Sequence, residues 1–172
     1  MLKCNPDAPQ LPVRRLALAE GKAVYMAVPR LRDDKPFLRL ADDATIKARG
    51  AQPLAVEELE PVDLVVCGTV AVNRDGVRVG KGGGYSDLEF GLLVEAGLVG
   101  DATTLATTVH PLQLLDEELP ETEHDFRVDI VVTPDETLRT RSPRRPPGIL
   151  WSHLTPEKIA AIPVLNAAGS GG

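Results

Sequence analysis

The stretch from Asp63 to Val72 is the part of the sequence that most constrains the fold. After Asp63 it reads Leu-Val-Val-Cys-Gly-Thr-Val-Ala-Val, which is apolar apart from an interruption at Gly68-Thr69. A strand without polar alternation must be covered on both faces, as the strands of mostly parallel sheets are. The run therefore predicts one long buried strand in an α/β fold.

Other segments of the chain predict helices and strands in alternation. Apolar or β-branched runs predict strands over 22–28, 103–109 and 128–133. Apolar residues at helical spacing, or capping residues, predict helices over 13–20, 44–49 and 85–96, one turn at 112–115 and a last helix that starts at Thr155. This alternation predicts a three-layer α/β sandwich with a mostly parallel sheet.

Size and composition limit the classes of protein to consider. The 172 residues, 43% of them hydrophobic, predict one compact domain. A net charge of −6 argues against a general nucleic-acid-binding protein. No apolar run is long enough for a membrane span and no signal peptide is visible, so we expect a cytoplasmic protein. The cysteines, Cys4 and Cys67, are too few and too far apart for a disulfide framework or a cysteine-rich metal site.

The glycine-rich segment Gly80-Lys81-Gly82-Gly83-Gly84 is the strongest functional signal. Clustered glycines let backbone N–H groups approach a bulky anion closely, and the predicted helix from Tyr85 adds unpaired N–H groups and the positive end of its dipole. Lys81 and Arg78 add positive charge, and Asp87 is placed to hold a divalent cation on phosphate oxygens. The segment predicts a phosphate-binding loop.

Two alternatives remain open at this point. The glycine spacing fits neither the P-loop nor the dinucleotide-binding fingerprint, and a glycine-rich turn without a ligand is the plain structural alternative. His110, His124 and His153 are not at the spacing of a metal site. His124 lies in an acidic loop, where it either orients a carboxylate near the pocket or forms loop hydrogen bonds.

Many of these residues fall in the order of a known signature. They are Asp63-Leu64-Val65-Val66, Gly68, Ala71, Gly76, Arg78, Gly80, Gly82-Gly83-Gly84-Tyr85 and Asp87, then Gln113, Leu119-Pro120, His124-Asp125, Val128-Asp129 and Thr133. Over residues 22 to 135 the chain resembles the 5-formyltetrahydrofolate cyclo-ligase (methenyltetrahydrofolate synthetase) family, and it looks most like the cyclo-ligase-related paralogues. That family reads approximately as a hydrophobic strand, G-x-A-F-D and R-x-G-x-G-G-G-Y-Y-D.

The resemblance implies a fold of the NagB/RpiA/CoA-transferase-like kind, with ATP and Mg²⁺ as cofactors and a reduced folate as substrate. It implies that Lys81, Tyr85 and Asp87 are catalytic and that Asp87 holds the metal. The implied cofactor-binding residues are Arg78, Gly80, Lys81, Gly82, Gly83, Gly84 and Tyr85, with Tyr85 as a wall of the folate or nucleotide pocket. The implied substrate-binding residues are Tyr85, Gln113 and His124.

The sequence also departs from the family pattern. Ser86, Lys81 and Asn73 replace a tyrosine, an arginine and an aspartate. Taking 22–28 as the family's first strand, the acidic substrate-contacting segment after it would be 29–34, where Asp33 or Asp34 is the candidate. The same alignment implies that residues 1–138 form a cyclo-ligase-like domain without the family's basic N-terminal helix, which predicts weak turnover.

Residues 139–172 are expected to form an Arg/Pro-rich tail with an irregular surface segment, a short helix and a disordered end.

Two functions follow from the sequence. The first is an ATP-dependent cyclo-ligase that closes 5-formyltetrahydrofolate to 5,10-methenyltetrahydrofolate. The alternative is a non-catalytic nucleotide- or anion-binding module whose tail contacts a partner.

Overall fold

The protein is described by a computed structural model over residues 1–45, 47, 49–141 and 143–169. The strands are β1 (Leu2–Cys4), β2 (Val24–Ala27), β3 (Phe37–Arg39), β4 (Gln52–Leu54), β5 (Leu64–Cys67), β6 (Ala71–Asn73), β7 (Arg78–Val79), β8 (Thr104–Thr108), β9 (Leu114–Leu115), β10 (Ile130–Val132) and β11 (Thr137–Arg139). The α-helices are α1 (Leu11–Ala19), α2 (Tyr85–Glu95), α3 (Pro156–Ala161) and α4 (Pro163–Gly169).

Most of the strands form one central sheet. Among the described residues its order is β11-β10-β8-β5-β1-β2-β3-β4. The five inner strands from β10 to β2 are parallel, and the antiparallel pairs lie at the two edges. Strands β6, β7 and β9 make a small second sheet. The predicted α/β class with a large, mostly parallel sheet is confirmed.

The two faces of the sheet are covered by different helices. Cys4, Val24 and Val66 share one apolar cluster with Val13 and Ala17 of α1. On the opposite face, Tyr25, Val65 and Leu105 share the larger cluster with Phe90 and Leu93 of α2. Because neighbouring residues of a strand point to opposite faces, this division gives the helix–sheet–helix layering that the sequence predicts.

The long apolar run divides at its glycine. Only Leu64–Cys67 belongs to the central sheet, as β5, while Ala71–Asn73 forms β6 of the small sheet. A Cβ on Gly68 would lie 2.3 Å from Oδ2 of Asp7, so any side chain at this position would displace the Asp7 carboxylate. The prediction of one continuous strand is therefore wrong.

The sequence also misses β1, although it lies in the middle of the sheet. Lys3 pairs with Val65 of β5 on one side and with Tyr25 of β2 on the other. A three-residue segment with a central lysine carries no strand pattern. Strands β3, β4, β9 and β11 are missed as well, and the helix predicted over 44–49 includes residues 46 and 48, which lie outside the described residues.

Helices α1, α2 and α3 and strands β2, β8 and β10 lie where the sequence predicts them. The sequence predicts an irregular surface segment after Arg139, but this segment packs against the domain, because Ile149 is buried. Further along the chain, Ile162 and Leu165 also belong to the larger core. The disordered end predicted from Gly169 falls, from residue 170 onward, outside the described residues.

Within the described ranges, no helix is both long and apolar enough to cross a membrane.

A buried ion pair joins β1 to α2. Lys3 contacts the Glu89 carboxylate, and their side chains are only 2% and 6% exposed. Lys3 Nζ also donates to Oδ1 of Asn5 at 2.6 Å. An ion pair this well shielded from water is costly to break from one side, because the remaining charge loses its partner without regaining solvent.

We predict that Lys3→Met lowers the free energy of unfolding by about 3–5 kcal/mol, because it leaves the Glu89 carboxylate buried without its partner. The double variant Lys3→Met/Glu89→Leu should recover a large part of that loss, because it removes both charges. Urea unfolding followed by circular dichroism measures both values. Equal destabilisation of the single and double variants would contradict the account.

A second prediction concerns the buried Cys4 thiol. Burial raises its pKa from 9.0 to about 11, against the lowering effect of Arg14. The folded protein then keeps a proton that the unfolded chain releases above about pH 9, so this thiol makes stability fall as the pH rises through that range. Folded protein should react slowly with iodoacetamide at Cys4 at pH 8 and faster above pH 10, as measured by peptide mass spectrometry. Rapid alkylation at pH 8 without unfolding would show that the thiol is accessible and ionised.

Candidate functional site

A cleft of about 490 Å³ lies beyond the carboxyl ends of β1 and β5. From β1 the chain proceeds outward to β2, whereas from β5 it proceeds the other way to β8 and β10. The gap between β1 and β5 is therefore the point where the winding direction reverses, which is where open α/β sheets bind their ligands. The volume is in the range of about 300–1,000 Å³ typical of small-molecule sites.

The first wall of the cleft is the segment after β1, which includes Asn5, Pro6 and Asp7. It is shaped by Arg14 of α1, which is 1% exposed. The Arg14 guanidinium donates to the carbonyl oxygens of all three residues and, 2.8 Å away, to that of Ala44. A buried charge satisfied by so many carbonyls fixes the course of this segment.

The second wall is the turn after β5, which includes Gly68, Thr69 and Val70. Gln113 supports this turn from behind, since its Nε2 donates to the carbonyl oxygens of Thr69 at 2.9 Å and Val70 at 3.0 Å. Gln113 itself does not line the cleft. Gln113, which the resemblance implies is a substrate-binding residue, therefore affects the cleft only through the backbone of Thr69 and Val70.

The third wall is the glycine loop with the first turn of α2. Gly82 and Gly84 have φ of 85° and 65°, a region that favours glycine, and Gly84 is the N-cap of α2. A Cβ on Gly83 would lie 2.8 Å from the Tyr85 ring. In the described part of the chain the backbone amides of residues 82–87 donate to no protein acceptor. A row of free N–H groups at a helix start is a ready site for an anion.

This third wall is fixed to the first. Asn5 Nδ2 donates to Ser86 Oγ at 2.7 Å, and the Lys3–Glu89 pair lies one turn further along α2. Ser86, which stands where the family has a tyrosine, thus holds the helix start against the segment after β1. These contacts join the start of α2, and with it the end of the loop, to β1 and the segment after it.

Two cations of the loop region have different environments. Lys81 is 79% exposed, and its Nζ lies 2.6 Å from Asp7 Oδ1 on the opposite wall. Arg78 is buried, contacts the Asp87 carboxylate, and its guanidinium carbon lies 3.8 Å from the Phe126 ring centroid. Lys81 is therefore the mobile charge at the mouth of the cleft, and Arg78 is a fixed charge within it.

The Asp87 carboxyl is engaged by the protein. Its Oδ1 takes a hydrogen bond from Arg78 and lies 3.5 Å from the amide of Phe126. Burial raises the pKa of Asp87 above its ordinary value more than the Arg78 guanidinium lowers it. A metal ion at Asp87 would have to use the second carboxylate oxygen.

Two buried polar atoms of the cleft residues have no protein partner among the described residues. They are Nε of Arg78 and Oε1 of Gln10. Buried polar groups without a partner are uncommon in native structures. A polar ligand in the cleft would give such groups the partners that the protein does not.

His124 lies outside this cleft, on the other side of the glycine loop. It lines a small pocket of about 70 Å³ together with His153, and the Nδ1 atoms of the two rings are 3.3 Å apart. His124 Nε2 also lies 3.7 Å from a carboxylate oxygen of Asp125. The structure therefore does not bring His124 into the cleft with Lys81 and Arg78, and it shows the loop contacts that one of the two sequence interpretations describes.

Besides Asp87 and Glu89, the cleft is lined by the acidic side chain of Asp7, which the sequence does not single out. Asp33 and Asp34 are exposed and are not among the cleft residues. Of segment 29–34, Pro29 and Arg30 line the cleft, and Arg30 adopts a φ of 61°, which costs a non-glycine residue energy. The prediction that Asp33 or Asp34 contacts the substrate takes 22–28 as the first strand. That strand assignment is wrong, because β1 precedes it and the segment after the first strand is therefore 5–7. The sequence signal for this segment is Asn-Pro-Asp directly after a short strand.

Comparison with known proteins gives consistent results. The profile of the 5-formyltetrahydrofolate cyclo-ligase family matches residues 1–134, so the similarity extends to β1. The chain is 38% identical over 180 residues to the methenyltetrahydrofolate synthase domain-containing protein of Mus musculus and 36% identical over 181 residues to that of Homo sapiens. Each alignment includes 96% of this chain but 48% and 47% of the relative, so the chain spans about half the length of these relatives.

Proposed function

We propose, since this chain belongs to the 5-formyltetrahydrofolate cyclo-ligase family, that it binds ATP with Mg²⁺ and a reduced folate and closes 5-formyltetrahydrofolate to 5,10-methenyltetrahydrofolate. In this reaction the formyl oxygen takes the γ-phosphoryl group of ATP and ADP is released. N10 then bonds to the activated carbon and phosphate leaves. No nucleophile of the protein is needed, so the chain has to supply orientation and charge neutralisation.

The observation that carries this proposal is the row of free amides at residues 82–87, of which residues 83–87 line the cleft at the reversal point of the sheet. Such amides, with Lys81 and Arg78 beside them, suit the closely spaced negative charges of a triphosphate. The buried Arg78 Nε and Gln10 Oε1 that lack protein partners also support a polar ligand there. The residues present therefore fit a nucleotide phosphate chain.

Each residue has a distinct part in the proposed chemistry. The loop amides hold phosphate oxygens in fixed positions, and Lys81 moves from Asp7 to the charge that develops on the transferred group. Arg78 supplies a second positive charge, held in place by Asp87 and Phe126. Tyr85 forms a wall of the cleft beside the loop, where it would border the folate or the nucleotide.

Mg²⁺ fits the proposal when it arrives with the nucleotide. Across the described ranges, no cluster of three or more histidine, cysteine or acidic side chains is placed to hold a metal ion. Mg²⁺ typically needs only one or two carboxylates in addition to substrate phosphates and water. Asp87 is the proposed ligand through its second oxygen, and Asp7 is the more exposed carboxylate of the cleft. The ion would neutralise phosphate charge during transfer.

The direct test is product formation. Purified protein with 5-formyltetrahydrofolate, ATP and Mg²⁺ should produce 5,10-methenyltetrahydrofolate together with ADP and phosphate in equal amounts, followed by chromatography. Omission of ATP should abolish the product. ATP binding without any methenyltetrahydrofolate, under conditions where an active cyclo-ligase works, would contradict the proposed reaction.

In the same preparation, Lys81→Ala should weaken ATP binding by about 1–2 kcal/mol, or about five- to thirtyfold, because a mobile charge-assisted contact with phosphate is lost. Lys22→Ala is the matched control, since Lys22 is an exposed lysine away from the cleft. Calorimetry measures both affinities. Equal affinity for ATP in the wild type and in Lys81→Ala would remove Lys81 from the site.

A further inference from the structure

A lysine from the C-terminal segment reaches the glycine loop from behind. Lys158 lies in α3, beyond residues 1–134 that match the family. Its Nζ donates to the carbonyl oxygen of Gly83 at 2.8 Å and lies 5.3 Å from the centroid of the Tyr85 ring. A Cβ on Gly84 would be 3.4 Å from the same nitrogen. The loop is therefore in contact with the C-terminal segment through the ammonium group of Lys158.

The position of Lys158 determines which way one peptide group of the loop faces. Lys158 lines the small pocket behind the loop, Gly83 lines the large cleft, and Gly84 lies between the two and lines both. The peptide bonds of the described chain are all trans, so the Gly84 N–H points opposite to the Gly83 carbonyl. With the carbonyl turned back to Lys158, the Gly84 N–H is turned to the cleft.

This orientation is not ensured by the loop itself. Glycine adopts left- and right-handed backbone conformations with similar ease, so a Gly-Gly peptide rotates readily between two orientations. In the reversed orientation a carbonyl oxygen, with its partial negative charge, would face the phosphate group and oppose binding. A fixed donor behind the loop removes that alternative.

The helix that carries Lys158 is itself well anchored. Thr155 caps it through a hydrogen bond from the Lys158 amide at 3.2 Å, and Pro156 occupies its first turn. Ile162 and Leu165, directly after it, are buried in the larger core. Lys158 is half-buried between this anchor and the Tyr85 ring, so its ammonium group has a defined position.

We propose that Lys158 is a positioning residue for anion binding: it holds the Gly83 carbonyl so that the Gly84 amide faces the phosphate-binding cleft. The C-terminal segment thereby completes the glycine loop. The inference rests on the proposed function in that the cleft binds phosphate groups, and it does not depend on which substrate is converted.

The test uses the full chain with Lys158→Met, which keeps the length of the side chain but has no donor. Lys22→Met is the control for loss of one positive charge elsewhere on the surface. The affinity for inorganic tripolyphosphate, measured by calorimetry, should fall about tenfold in Lys158→Met and stay unchanged in Lys22→Met. Lys158→Arg, which keeps a charged donor in a different geometry, should retain more of the affinity than Lys158→Met.

A second readout reports on the loop without any ligand. Trypsin cleavage after the exposed Lys81 should become several times faster in Lys158→Met, because the loop loses its contact behind Gly83. Reduced affinity without faster cleavage would overturn the positioning role in favour of a direct charge effect. Unchanged affinity would overturn it outright. If Lys158→Met does not fold, Lys158→Ala, which also has no donor, should give the same two changes.

These outcomes are distinct from failure of the proposed function. Tripolyphosphate binding that depends on Lys158, in a protein that forms no methenyltetrahydrofolate, would contradict the cyclo-ligase reaction and leave this inference standing. Product formation with equal tripolyphosphate affinity in the wild type and Lys158→Met would contradict this inference and leave the cyclo-ligase reaction standing. A wild type that binds neither tripolyphosphate nor ATP would overturn both.

Discussion

The buried contact between β1 and α2 is the interaction on which the site depends. Lys3 and Glu89 form an ion pair between the central strand and the helix that begins at the glycine loop, and Asn5 adds a hydrogen bond to Ser86. A change in the register of the helix against the strand would separate the two shielded charges, which is costly because each would lose its partner without regaining water. The free amides at the start of α2 are thereby held opposite the ends of β1 and β5.

The same arrangement explains why functional groups from distant parts of the sequence meet in one cleft. Asp7 follows β1, Thr69 follows β5, and the glycine loop precedes α2, so the reversal of winding between β1 and β5 brings all three together. Residues outside the cleft hold these segments through their backbone carbonyls. Arg14 does so for 5–7, Gln113 for 69–70 and Lys158 for the loop. Binding geometry in this protein is thus determined largely by buried or half-buried donors behind the walls.

Sequence reasoning identifies the parts that local patterns encode. The glycine loop, α2 with its left-handed Gly97 after the helix, and the buried strands β5 and β10 all have patterns within a dozen residues. It misses β1, because the lysine at its centre is neutralised by a glutamate 86 positions away. Because it misses β1, it takes 22–28 as the first strand and places the acidic segment at Asp33 and Asp34 instead of Asp7. The roles of Arg14 and Lys158 depend on contacts that no local pattern shows.

The central claim is that the free amides of residues 82–87 bind the phosphate groups of a nucleotide at the β1/β5 cleft. Titration of ¹⁵N-labelled protein with ATP and Mg²⁺, followed by amide chemical shifts, tests it most directly. The account predicts that the largest shifts occur at Gly82, Gly83, Gly84 and Tyr85, with smaller ones at Asp7 and Thr69. Saturable shifts confined to another surface, such as the arginines from Arg139 to Arg145, with the loop amides unchanged, would contradict it.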